Sequence, residues 1–220
     1  IITPDLVRTQ FSKLNIRKAS GPDGLDGIIL KRCCDQLCDV FSRLYQLSCD
    51  HHIIPTIWKT SKITPVPKKT TPSVLNDYRP VALTSIAMKC LERIMLSTLI
   101  SNVKDLLDPL QFAYRVQRGV EDAKVVLLNS IYKHLEIPKS YVRVLFVDFS
   151  SAFNTIQPHI LLQKLLSMNV NRNLLLWVEQ FLINRPQFVH VNQVDSSTLH
   201  TNTGAPQGCV ISPVRSKSVV

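Results

Sequence analysis

Val144-Leu-Phe-Val-Asp-Phe-Ser-Ser-Ala-Phe153 is the stretch whose reading decides the fold. Residues 142–149 form a nearly continuous β-branched and aromatic run, which predicts a strand buried on both faces, and the run brings one carboxylate, Asp148, to the strand's end. Mg²⁺ takes hard oxygen ligands in near-octahedral geometry, so a carboxylate and a neighbouring backbone carbonyl on a rigid strand are suitable holders. A strand-terminal aspartate can equally cap the helix that follows, and these residues alone leave both readings open.

Working outward, the flanking sequence alternates helix and strand signals. Thr3-Pro4 reads as an N-cap with proline at the first helical position, and Leu6, Val7, Phe11 and Leu14 then make an apolar stripe predicted to run to about Ser20. The turn cluster Ser20-Gly-Pro-Asp-Gly24 follows, then a mostly helical stretch over 28–47. Residues 58–69 alternate β-branched and basic residues between prolines, which predicts an edge strand or hairpin kept off the sheet centre. From Ser85, the spacing of Ile86, Ala87, Cys90, Leu91, Ile94, Met95 and Leu99 predicts a long helix. A second is predicted over 120–135, a third from Pro158 to Leu166, and a fourth on Leu174, Trp177, Val178, Phe181 and Leu182. A strand over 187–194 and the turn-rich Gly204-Ala-Pro-Gln-Gly208 complete the pattern.

Composition narrows the class. Of the 220 residues, 45% are hydrophobic and 19% charged, enough apolar side chains for a packed core and too many for a disordered chain. No apolar run approaches the roughly 18–20 residues of a membrane-spanning helix, and no signal segment is visible, so the expectation is an intracellular chain without a membrane partner. Six cysteines, four of them crowded between Cys33 and Cys49, fit neither a disulfide framework nor a standard zinc spacing and read as thiols. The formal charge of +10 and pI near 9.5 suit a polyanionic partner. Residues 59–145 hold most of that excess, with 14 basic against 7 acidic groups.

Six segments, taken together and in order, resemble the reverse transcriptase domain of non-LTR (LINE-type) retrotransposons. They are Lys18-Ala-Ser-Gly-Pro-Asp-Gly-Leu25, Trp58-Lys-Thr-Ser-Lys-Ile-Thr-Pro-Val-Pro-Lys-Lys69, Asp77-Tyr-Arg-Pro-Val81, Gln111-Phe-Ala-Tyr-Arg115 with Arg118-Gly119, Phe146-Val-Asp-Phe-Ser-Ser-Ala-Phe-Asn154, and Gly204-Ala-Pro-Gln-Gly208 with Ser212-Pro213. Each is weak alone; their joint order over nearly the whole chain is specific. Group II intron maturases and telomerase share the palm logic, but the first and third segments look more like the LINE type.

The resemblance implies an α+β right-hand polymerase fold reduced to fingers plus a partial palm, with the thumb absent. It implies a helical lead-in over 1–53, fingers and partial palm over 54–213, and an aberrant basic tail over 214–220. The implied reaction is template-directed transfer of dNTPs to a primer 3′-OH by two Mg²⁺ ions, with Mn²⁺ as an alternative, on an RNA template and DNA primer. Asp148 looks like the family's first metal-binding aspartate, with the Phe149 backbone carbonyl as a second ligand, and Phe153 looks like its steric gate against a ribose 2′-OH. Lys68, Lys69 and Arg79 look like the cations that neutralise the triphosphate, for which Arg offers a bidentate fork and Lys a point charge. Gln207 would lie beside the incoming nucleotide. Gln111, Tyr114, Arg115, Arg118, Gly204 and Gly208 would contact template and primer through phosphate pairing, stacking and close backbone approach.

The chain departs from the family in one respect. The family completes its metal site with an Asp-Asp pair downstream of the Ser-Pro motif, whereas nothing acidic follows Asp195 here and Val214-Arg-Ser-Lys-Ser-Val-Val220 stands where an apolar helix is expected. The expectation is a truncated polymerase fragment that is inactive as it stands; the alternative is a non-catalytic basic remnant that binds nucleic acid.

Overall fold

The computed structural model describes residues 1–113, 115, 117–148 and 156–204. The chain is mixed α+β, with helices gathered around one core and a small sheet set against them. Helix α1 (Pro4–Ser12) starts as the sequence requires, the Thr3 side chain accepting from the Leu6 N–H and Pro4 occupying the first turn. It ends eight residues earlier than its stripe suggests. Leu14 N–H donates to the Phe11 carbonyl at 3.1 Å and Asn15 Oδ1 accepts from the Arg17 N–H at 3.0 Å, so a local Asn turn outcompetes another helical turn.

Helices α2 (Gly27–Arg32) and α3 (Cys34–His51) divide the predicted 28–47 stretch at Cys33, and α3 stops at His52 in a left-handed conformation. After the short α4 (Thr56–Lys59) comes β1 (Ser61–Pro67), then β2 (Tyr78–Leu83) and the long α5 (Ile86–Val103), capped by the Ser85 hydroxyl accepting from the Met88 N–H at 3.1 Å. Farther on lie α6 (Val120–Leu135), α7 (Pro158–Ser167), α8 (Arg172–Leu182), β3 (Arg185–Val191), β4 (Val194–Asp195) and β5 (Leu199–Thr201).

The core joins α1, α3, α5, α7 and α8, so the helices before residue 54 share one interior with those after it. Phe11 meets Phe41 edge-on at 5.2 Å, and Tyr45 meets Trp58 the same way at 5.6 Å, arrangements that suit the aromatic quadrupole. Trp177 is fully buried, and its indole N–H donates to Ser48 Oγ at 3.1 Å, tying α8 to α3. Tyr45 similarly donates to the Ala87 carbonyl at 2.7 Å, tying α3 to α5.

The sheet runs β2-β1-β3-β4, with β5 also on β3. Here the structure corrects the expectation that prolines keep 58–69 off the sheet centre, because β1 pairs antiparallel with β2 and also parallel with β3. The parallel pairing uses Ser61 to Ile63 alone, ahead of Pro65 and Pro67, so the prolines fall in the half of β1 that has one neighbour.

A second correction concerns the deciding stretch. Residues 141–148 form no strand and pair with nothing among the described residues; Leu145 is 85% exposed and Phe146 82%. A continuous apolar pattern reports that a segment suits burial, while a strand also needs a ladder partner for its backbone groups, and none of β1 to β5 borders this one. Helix α6 has its predicted bounds but buries no residue, and with residues 141–145 it lines an open groove of about 490 Å³. Among the described residues, no helix is long and apolar enough to cross a membrane. Cys38 and Cys90 are buried, Cys34 and Cys49 half-buried and Cys33 exposed, all as free thiols.

Candidate functional site

Three groups of sequence-predicted residues can be located. The first is the β1–β2 hairpin, where register sets Val66 opposite Arg79, Thr64 opposite Val81 and Lys62 opposite Leu83 on one face. Arg79 is exposed on that face. The two lysines are differently employed. Lys68 donates from its ammonium to the Asn76 carbonyl at 2.7 Å, and Lys69 pairs with Asp77 Oδ2 at 2.9 Å. Asp77 also accepts from the backbone N–H groups of Ser73 at 2.8 Å and Val74 at 3.0 Å, so one carboxylate closes the loop between the strands. The Lys69 ammonium, with those N–H donors, holds the Asp77 carboxyl down at about 2.

The second group is the connection from α5 to α6. Gln111 N–H donates to the Asp108 carbonyl at 3.1 Å, Arg115 donates from its guanidinium to the same carbonyl at 3.0 Å, and Arg118 donates to the Pro109 carbonyl. The Arg118 guanidinium also lies over the Phe112 ring at 5.6 Å. Gly119 caps α6, its N–H donating to Asp122 Oδ2 at 2.6 Å. Two cations and an aromatic ring are thereby gathered on one short loop, beside a carboxylate already engaged by the helix. Tyr114 lies outside the described residues.

The third group is Asp148 and Gly204. Asp148 is exposed at the end of residues 141–148. Gly204 is buried, with φ +68°, and its N–H donates to the Ile156 carbonyl at 2.8 Å. Phe149, Phe153, Gln207 and Gly208 lie outside the described residues. Among the described residues, no hydrogen bond or ion pair joins the hairpin cations, the 108–119 loop and Asp148 to one another, so the structure makes three local clusters rather than one assembled site.

A lone exposed carboxylate is a hard donor of the kind Mg²⁺ takes, yet among the described residues no three His, Cys, Asp or Glu side chains gather closely enough to hold a metal. The donor set therefore does not fit a two-metal centre. Residues that sequence reasoning missed are also visible. Asp77 organises the hairpin loop, and its sequence signal was no more than its place at the head of the Asp77-Tyr-Arg-Pro-Val81 segment. Arg185 is 5% exposed and donates from its guanidinium to the Thr203 carbonyl at 2.8 Å and the Gly204 carbonyl at 3.0 Å; no side-chain pattern in the sequence signals it.

The family model for reverse transcriptase (RNA-dependent DNA polymerase) matches residues 66–220. The chain is 29% identical over 215 residues to the RNA-directed DNA polymerase from mobile element jockey of Drosophila melanogaster, an alignment covering 96% of this chain and 23% of that protein. It is 26% identical over 228 residues to the Retrovirus-related Pol polyprotein from type-1 retrotransposable element R1 of Bradysia coprophila, covering 100% of this chain and 22% of that one. The type-1 element R2 polyprotein of Nasonia vitripennis is 23% identical over 203 residues, with 90% and 19% covered. The chain thus spans less than a quarter of the length of these relatives.

Proposed function

The chain belongs to the reverse transcriptase family, on its non-LTR retrotransposon branch, and we propose on that premise that it is the fingers and part of the palm of an RNA-directed DNA polymerase. The observation that carries the proposal is the family match over 66–220, which takes in Lys68, Lys69 and Arg79 of the hairpin, the 108–119 loop and Asp148 together. In this reading residues 54–213 are the polymerase portion, 1–53 a helical lead-in and 214–220 a basic tail.

The reaction joins a primer 3′-oxygen to the α-phosphorus of a deoxynucleoside triphosphate and releases pyrophosphate. Arg79, exposed beside the lysines, offers its fork to the triphosphate, while Lys68 and Lys69 add positive potential from a loop that Asp77 holds in shape. Arg115 and Arg118 set their guanidinium groups along the template backbone, and Phe112 or Tyr114 supplies a face for stacking. Phe153 excludes the ribose 2′-OH, and Gln207, Gly204 and Gly208 line the nucleotide and template. Asp148 would supply one of the carboxylates that two-metal transfer requires, and among the described residues no metal-holding group of acids surrounds it. The 220-residue chain on its own therefore binds a primer and RNA template without extending it.

Two measurements test this reading. Binding of the chain to an RNA–DNA primer–template should weaken steeply with salt, fall in Arg115→Ala and Lys68→Ala, and be indifferent to Asp148→Ala. Salt-independent binding would refute the nucleic-acid role. In a primer-extension assay the chain should incorporate nothing; incorporation that disappears in Asp148→Ala would overturn its inactivity and leave the polymerase assignment standing.

A further inference from the structure

We propose that Arg185 is a positioning residue whose buried guanidinium clamps the backbone at Thr203 and Gly204 and so fixes the turn at Gly204, the first residue of the Gly-Ala-Pro-Gln-Gly segment. The consequence for nucleotide binding rests on the polymerase reading above. Taking a guanidinium out of water is costly, and hydrogen bonds from Nη2 to two successive carbonyls offset part of that cost here. Those carbonyls lie beyond the β3–β5 ladder. The last paired residues are Arg185 and Thr201, and the side chain reaches two and three positions farther to Thr203 and Gly204. A residue serving the ladder alone would have no use for that reach.

Backbone and side-chain bonds from the start of β3 complete the tie. Thr201 Oγ1 donates to the Arg185 carbonyl at 3.3 Å, and the Asn184 N–H donates to Asn202 Oδ1 at 2.6 Å. Gly204, held from one side by the guanidinium, donates its own N–H to Ile156, which stands eight residues after Asp148. Its φ of +68° is a left-handed turn that suits glycine, so the chain changes direction at the point where it is gripped. The Arg185 clamp thus joins three pieces: the start of β3, the backbone at Thr203 and Gly204, and Ile156. Burial and the nearby Arg185 charge pull the Lys59 ammonium below its usual range, which marks the neighbourhood as one where a second cation is tolerated at a cost. Both bonds leave one nitrogen, Nη2, and a lysine at 185 would bring the charge on a shorter side chain whose ammonium must reach the same two carbonyls without the planar guanidinium.

Amide hydrogen exchange on the 220-residue chain tests the clamp directly. Arg185→Met should speed exchange at Gly204 about tenfold or more while the Leu91 and Trp177 amides in α5 and α8 keep their protection, and Arg185→Lys should give an intermediate acceleration. Unchanged exchange at Gly204 in Arg185→Met overturns the proposal. If Arg185→Met loses protection everywhere, Arg185→Lys decides, and no change at Gly204 there overturns it too. In the full-length translation product carrying these residues, Arg185→Lys should raise KM for dNTP several-fold with kcat and primer–template affinity little changed. An unaltered KM in an enzyme whose wild type extends primers refutes the positioning role. A wild type that extends nothing refutes the polymerase reading, and the exchange data still judge the clamp.

Discussion

Two glycines three positions apart in one turn, Gly21 and Gly24, are required for opposite reasons, and substitution separates them. At Gly21 a Cβ would stand 2.6 Å from both Ser85 N and Thr84 C and 2.8 Å from Ser85 Cα, all backbone atoms at the entry to α5. Ordinary contact begins near 3.4 Å, so Gly21→Ala forces the start of α5 back by about 0.8 Å. Ser85 is the cap of that helix, and α5 contributes Ile86, Ala87, Met88, Cys90 and Leu91 to the core, so the displacement cannot be absorbed at the surface. Overpacking of this kind costs ~1–3 kcal/mol, and rigid backbone on the far side puts the expectation at ~3 kcal/mol. At Gly24 nothing lies within 4 Å, and the demand comes from φ of +64° alone. Gly24→Ala there costs ~1–2 kcal/mol of left-handed strain, offset by ~0.4–1 kcal/mol from the stiffer unfolded chain. Asparagine, which tolerates the left-handed region, should recover most of the loss at Gly24 and deepen it at Gly21. Urea unfolding of the four variants measures all of this. A Gly21→Ala midpoint equal to wild type, or asparagine rescuing Gly21 rather than Gly24, would refute the reasoning.

Two further outcomes are expected. Burial pushes the Cys90 thiol up from 9.0 to about 11 and acts on Cys49 in the same direction, while burial also lifts the Tyr45 phenol well above its usual 10. Folded groups then keep protons that the unfolded chain has released, so their contribution is whole below pH 9 and is lost as pH rises towards 11. Cys90, fully buried, accounts for a fall on the order of 2–3 kcal/mol, which denaturant titrations from pH 8 to 11 should show and Cys90→Ala should flatten. Asp77 has the opposite sign: its carboxyl is held at about 2 against 3.8, so the loop it closes persists above pH 4 and loosens only as pH falls through 2. At neutral pH, Asp77→Asn should release Lys69 and the 68–77 loop, read as faster tryptic cleavage after Lys68 and Lys69; an unchanged cleavage rate would count against the ion pair as the organiser.

Most helices were legible because their stripes coincide with caps the backbone obeys, as with Thr3, Ser85 and the boundaries of α6. Position within the sheet was not legible in β1, since proline reports a missing donor but cannot say which half of a strand has a neighbour. Residues 142–148 failed for a related reason: apolar character is local, and the partner that would bury it is not. In the candidate site, the hairpin lysines and arginine were placed together by register, whereas their differing employment depended on Asp77, whose two backbone contacts no spacing rule anticipates. Arg185 escaped notice because its partners are main-chain carbonyls near the end of the described residues, invisible to any reading of side-chain types.

The long pairings of this fold also set a timetable. The β1–β2 hairpin closes from neighbouring residues, but the other edge of β1 waits for β3, as Ser61 pairs with Gln187, and Ser48 waits for Trp177, 129 positions later. At a synthesis rate of ~5–20 residues per second, that is roughly 6–25 s during which a nascent chain carries an open strand edge and an unsealed helical interface. The interval is long beside the microseconds in which a hairpin forms, so the first half of the molecule emerges as a sticky, half-paired platform. Its safe passage depends on whatever shields Ser61 to Ile63 until the second half arrives to cover them.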